Sequence, residues 1–128
     1  MVESLNTKVE LVIKGNSHLG MTDYGQIMIG DRGFEFYDER NARNYIQIPW
    51  VEVESVVVSV MFKGRWIPRY ALKTKKNGMY SFSSKDPKRV LRVVRQHVKP
   101  EKIVRSLTFF DVVKRALKGK NRDNYLKK

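Results

Sequence analysis

Through the first two-thirds of the chain, apolar residues come in short runs separated by glycine, proline, asparagine and aspartate. Several runs alternate apolar and polar positions, the period of a strand with one buried face. Residues 8–13 alternate in part. Gln26-Ile27-Met28-Ile29 and Phe34-Glu35-Phe36-Tyr37 flank Gly30-Asp31-Arg32-Gly33, a composition suited to a tight hairpin. Tyr45-Ile46-Gln47-Ile48 alternates and stops at Pro49, which has no N–H for a central ladder. Residues 55–62 are rich in valine and predict a buried strand. Residues 66–74 and 79–83 face each other across Lys75-Lys76-Asn77-Gly78, and Asn-Gly is a strong hairpin signal. About seven strands are expected, with residues 16–23 as a loop.

The period then lengthens. Asp86 and Pro87, a capping residue type followed by a first-turn residue, predict a helix start. That helix extends to about Val98 and ends before Pro100. Val90, Leu91, Val93, Val94 and Val98 form one stripe, and Lys88, Arg89, Arg92, Arg95 and Lys99 form the opposite one. A second amphipathic helix is predicted over 108–118, carrying Phe109, Phe110, Val112, Val113, Ala116 and Leu117 before Gly119 and a basic tail. The expected fold is mainly β with C-terminal helices. A pleckstrin-homology-like bent antiparallel sheet of about seven strands, capped by a helix, would occupy residues 1–100. The additional amphipathic helix and basic tail would occupy 101–128.

Charge sharpens this picture. The net charge is +13 over 128 residues, but residues 1–60 hold five cations against nine acids, and residues 61–128 hold 21 cations against four. Solubility does not require such segregation, so one face adapted to an anionic partner is expected. There is no cysteine, which excludes a disulfide scaffold, a thiolate metal site and a cysteine nucleophile. Met1 to Asn6 lack a secretory pattern, and the most apolar run, 56–62, is far below the roughly twenty residues of a membrane span. A cytoplasmic protein is expected, with peripheral attachment to the inner face of the cell membrane as an option.

Catalytic chemistry finds little support. His97 sits on the apolar side of the first helix. His18 lies in a loop where a phosphoryl-accepting or acid/base role is conceivable, without a second histidine or carboxylate at ligand spacing. Gly25, Gly30 and Gly33 do not make a phosphate-cradling loop between a strand and a helix. A non-enzyme without cofactor or metal is expected.

Two constellations suit binding instead. The segment Phe62-Lys63-Gly64-Arg65-Trp66-Ile67-Pro68-Arg69-Tyr70 mixes cations with aromatics. Lys63, Arg65, Trp66 and Arg69 could touch phosphate or lipid headgroups; alternatively, Trp66 and Tyr70 are core residues and the cations are merely solvated. The second is the pair of helices. Lys88, Arg89, Arg92 and Arg95 form a cationic face on the first. Phe109, Phe110, Val113 and Leu117, with Lys114, Arg115 and Lys118, form a basic amphipathic surface on the second, either folded onto the sheet or meeting a partner.

Particular strings carry a family likeness: Leu19-Gly20-Met21-Thr22-Asp23-Tyr24-Gly25, Ile29-Gly30-Asp31-Arg32-Gly33-Phe34-Glu35-Phe36-Tyr37, Ile48-Pro49-Trp50, Val60-Met61-Phe62-Lys63-Gly64-Arg65-Trp66-Ile67-Pro68-Arg69 and Ser81-Phe82-Ser83-Ser84-Lys85-Asp86-Pro87-Lys88. Over roughly residues 3–100 the chain resembles the ManO family, short proteins of low-GC Gram-positive bacteria encoded beside mannose-type phosphotransferase permeases. The resemblance implies a pleckstrin-like fold and a regulatory or accessory role in that sugar transport system, and it supplies no active-site residues. Two readings follow. In one, the protein docks through its basic face and C-terminal helix on the cytoplasmic side of the membrane-embedded permease, with an anionic lipid surface as a second possible partner. In the other, it is a DNA-binding regulator of the permease operon, for which no helix-turn-helix is visible. The first is preferred.

Overall fold

The computed structural model describes residues 3–62 and 65–106. Among these residues eight strands form one sheet: β1 (Val9–Ser17), β2 (Asp23–Gly30), β3 (Gly33–Asp38), β4 (Tyr45–Pro49), β5 (Val53–Met61), β6 (Trp66–Thr74), β7 (Met79–Ser84) and β8 (Ile103–Ser106). Helix α1 (Pro87–Val94) follows β7, and a short 3₁₀ turn, Trp50–Glu52, links β4 to β5. The spatial order is β4-β3-β2-β1-β7-β6-β5-β8, antiparallel throughout except that β8 runs parallel to β5.

Alternation sets the inner face. Leu11, Ile27, Ile29, Phe34, Phe36, Ile48, Val56, Val58, Tyr70, Leu72 and Phe82 are all buried in one core. Phe34 on β3 packs on Phe82 of β7 with ring centroids 4.8 Å apart, and on Tyr70 of β6 at 6.4 Å. These strands stand three and four places apart in the sheet, which at about 4.8 Å per strand would separate them by roughly 14–19 Å if it were flat. The sheet therefore curls until its two halves face each other. Helix α1 lies along this core with Val90, Leu91 and Val94 buried. Past the helix, Val98 is also buried and His97 stacks on Trp50, centroids 4.9 Å apart, with its Nε2 2.5 Å from Glu10 Oε1.

The outer side of β3 is covered differently. Glu35 points away from the aromatic core yet is 0% exposed. Its carboxylate accepts hydrogen bonds from Ser4 Oγ (2.6 Å), Leu5 N (2.9 Å), Asn6 Nδ2 (2.8 Å), Gln47 Nε2 (3.0 Å) and the Tyr37 hydroxyl. Asn6 Oδ1 in turn accepts from Arg32 N and Gly33 N at the β2–β3 turn, while Asp31 accepts from Thr7 N and Lys8 N. The segment before β1 is thus tied over the hairpin by side-chain caps. Burial pushes the Glu35 carboxyl up, but the donors from Ser4, Tyr37, Leu5 and Asn6 outweigh it and hold it below the ordinary value. Asp31 is lowered to about 2, chiefly by the Thr7 hydroxyl and the Lys8 N–H.

Several expectations need correction. The sheet is mixed, because Ile103–Ser106 adds a parallel edge strand where no strand was expected. Strand β1 runs on to Ser17 and β2 starts at Asp23, so the loop expected over 16–23 is shorter. Helix α1 ends at Val94, and the chain reaches Val98 through turn hydrogen bonds. Asp86 precedes the helix in a left-handed conformation (φ 43°) and its side chain makes no cap. The helix predicted over 108–118 lies outside the described residues.

Two predictions follow from this packing. Gly25 pairs with Asp38, and a Cβ there would lie 2.0 Å from the Tyr37 carbonyl oxygen. Gly25→Ala should therefore lower unfolding stability by about 3 kcal/mol in urea titration; an unchanged midpoint would refute the close approach. For Glu35 and Asp31, folded pKa values lie below unfolded ones. Their contribution is complete above about pH 4.5 and is lost as pH falls through the folded values, down to about 2 for Asp31. Wild type should lose stability over that window, and Glu35→Gln should be less stable at pH 7 with a shallower acid slope. Identical slopes for the two proteins would contradict the assignment.

Candidate functional site

Among the hollows on the described surface, three differ in their chemistry. One of about 480 Å³ is lined by Lys14, Asn16, Tyr24, Glu39, Ser83, Ser84 and Lys85, a mixture of both charges. Another, of about 280 Å³, lies among β4, β6 and β7 and is lined by Leu19, Ile48, Glu52, Asn77 and Tyr80. The third, about 520 Å³, is a groove between α1 and the β5–β8 edge. Val58, Val60, Ile67, Leu91 and Ile103 give it an apolar floor; among the described residues Lys88, Arg92, Arg95 and Arg105 stand around it with one acid, Asp86.

The groove follows from the local folding of each element. Val90, Leu91 and Val94 bind α1 to the core, which leaves Lys88, Arg92 and Arg95 on its exposed side. Strand β8 pairs Val56 with Ile103 and Val58 with Arg105, adding one more cation from a different element. Among the described residues Lys73 forms an ion pair with Glu54, and His97 Nε2 contacts Glu10 Oε1. None of the four groove cations takes part in either.

The β5–β6 hairpin end lies next to this groove, since Val60 and Ile67 belong to both. Phe62 is 65% exposed and Trp66 50% exposed, and their rings stack with centroids 6.0 Å apart and planes 19° from parallel. Arg65 N donates to Phe62 O at 3.1 Å, closing the turn. Phe62 has φ 52°, a left-handed conformation costing a bulky side chain about 1–2 kcal/mol. This end of the molecule therefore holds a strained, solvent-facing aromatic pair.

Of the sequence-selected residues, Lys88, Arg92 and Arg95 converge on the groove, while Arg89 is exposed outside its lining. The two aromatics of the basic loop separate: Tyr70 is core and Trp66 is not. Arg65 is exposed, and Arg69 is half-buried on β6. Lys63, Phe109, Phe110, Val113, Lys114, Arg115, Leu117 and Lys118 lie outside the described residues. Arg105 and the floor residues Val58, Val60, Ile67, Leu91 and Ile103 were missed as a site. Only the aliphatic character of the floor residues was visible, and it signalled core.

His18 is occupied by structure. Its Nε2 lies 2.8 Å from Ser83 Oγ and its Nδ1 3.2 Å from Thr22 Oγ1, which pins the β1–β2 connection to β7. Burial, and then the charge of Arg69, lower its pKa and favour neutral imidazole. Among the described residues no three histidines or carboxylates are grouped to hold a metal ion, and no helix is long and apolar enough to cross a membrane.

A search among curated proteins found no match. Among solved structures, the C-terminal domain of an unknown protein from Leishmania infantum is similar, with a TM-score of 0.61 at 13% identity over 70% of this chain and 83% of that one. At that identity the likeness concerns fold alone. A family model described as "Domain of unknown function (DUF956)" matches residues 1–117. The chain therefore belongs to the DUF956 family.

Proposed function

We propose that this protein is a non-enzymatic accessory or regulatory subunit that docks on an anionic membrane face, with a mannose-type phosphotransferase permease as its partner. The observation that carries this reading is the groove with four cations around an apolar floor, beside an exposed aromatic pair. The likeness to the ManO family supplies the permease. The strand order β4-β3-β2-β1-β7-β6-β5 with a helix after β7 supports a pleckstrin-homology-like reading of the fold, to which β8 is an addition.

The energetics suit reversible docking. Each Lys or Arg near an anionic leaflet contributes about 1 kcal/mol, so the groove cations together reach only weak, salt-sensitive binding. A second, apolar contact is needed for a stable complex. The groove supplies part of it, and the amphipathic sequence of 108–118 supplies more. Chain geometry favours their cooperation. Ser106 pairs with Ser59 on a strand parallel to β5, so the chain leaves the described fold heading toward the hairpin end.

Charge reversal tests this reading. Lys88→Glu, Arg92→Glu and Arg95→Glu together should leave the melting temperature within a few degrees, because exposed charges contribute little to folding. They should abolish co-sedimentation with membranes containing the permease. A matched control, Arg89→Glu with Lys75→Glu and Lys76→Glu, changes net charge equally outside the groove and should retain most binding. Equal loss in both would reduce the effect to net charge. Wild type that ignores these membranes but binds operator DNA over random DNA at about 150 mM salt would establish the transcriptional alternative instead.

A further inference from the structure

We propose that the β5–β6 hairpin end is a lipid anchor: Phe62 and Trp66 enter the interface of an anionic bilayer while the groove cations lie against its headgroups. This rests on membrane-face docking and names the bilayer itself as a direct ligand.

Placement carries the inference. The stacked rings are exposed where the hairpin turns, so both can leave water without rearrangement of the core. The hairpin sequence adds Lys63 and Arg65 between them. An aromatic pair framed by cations matches the bilayer interface, where tryptophan is favoured and basic residues meet anionic headgroups. The left-handed backbone at Phe62 points the same way. Asparagine or glycine would fit that conformation better, so the aromatic is present despite the local backbone preference.

The opposite end of the sheet offers a rival surface, with Leu19, Met21 and Met79 exposed near the turn after β6. β6 spans nine residues, which puts the two ends roughly 25 Å apart, too far for one shallow contact. Charge separates them. At the rival end the exposed Lys75 and Lys76 and the Glu54-paired Lys73 stand against Glu52 and Glu54, a smaller positive excess than at the hairpin end. Beside Phe62 and Trp66, the described groove lining has one acid, Asp86, and four cations. A negatively charged surface is therefore complementary to the hairpin end.

The full chain should be titrated with vesicles of phosphatidylcholine containing about a quarter phosphatidylglycerol, with no permease present. Binding is expected, with much less on pure phosphatidylcholine and weakening as salt rises. Phe62→Asn with Trp66→Thr should lower the partition coefficient by about 30-fold or more, with the melting temperature unchanged or raised. Leu19→Ser with Met21→Ser should leave binding intact. On wild type, brominated lipid should quench part of the tryptophan emission. Trp66→Phe should still bind while losing that quenching, because Trp50 is held against His97 and Gly30. Failure to bind vesicles, alongside retained binding to permease membranes, would overturn the lipid anchor and leave the docking reading standing. Failure on both would remove both. Loss of binding through Leu19 and Met21, or aromatic-dependent self-association without vesicle binding, would also overturn the anchor.

Discussion

The contact between Phe34 and Phe82 is the constraint on which the architecture depends. Two rings from strands three places apart meet at 4.8 Å, and Tyr70 joins them from one strand further. Only a strongly curled sheet allows this. Curling closes the aliphatic core, and α1 then packs Val90, Leu91 and Val94 against it. The same curl leaves the β5 side as an edge, where β8 adds and where the groove forms between strand and helix. Site and core are thus consequences of one packing decision.

Charge segregation acquires a physical meaning in this frame. Several acids of the first 60 residues are committed to the fold. Glu35 gathers five donors, Asp31 caps the start of β1, and Asp38 accepts from Arg40 N and Asn44 Nδ2 in the β3–β4 connection. Among the described residues the groove cations of the second half form no ion pair or side-chain hydrogen bond of this kind. Unlike the buried carboxylate, whose removal would take a shared acceptor from five donors, these side chains can be exchanged with little effect on folding. Their grouping around an apolar floor is the observation on which the proposed docking rests.

Much of the fold was legible because it rests on periodicity. Alternation and turn residues together located seven strands, with the valine-rich run marking β5, and the spacing of Val90, Leu91 and Val94 set the buried face of α1. Asn77-Gly78 marked a turn, with Gly78 at φ 82° and Thr74 capping it. What escaped depended on distant partners. β8 is four residues long and follows Pro100, so its strand character comes from pairing with β5 and not from local pattern. Glu35 occupies an alternation position that normally means solvent, and only Ser4, Leu5 and Asn6, some thirty residues earlier, bury it. Half of the site was visible as the cations of α1. Its floor and Arg105 were not, because a groove between a helix and an edge strand has no signature in either element alone.

In the proposed reading the molecule meets an anionic membrane through the hairpin end and the α1 groove. Hydrogen–deuterium exchange on the full chain, free and bound to membranes of the source organism, tests this directly. Added protection is predicted in peptides covering residues 60–67, 88–95 and 103–106, with none across the Lys75–Gly78 turn or residues 19–22. Protection confined to that opposite end, or spread evenly over the surface, would contradict the account.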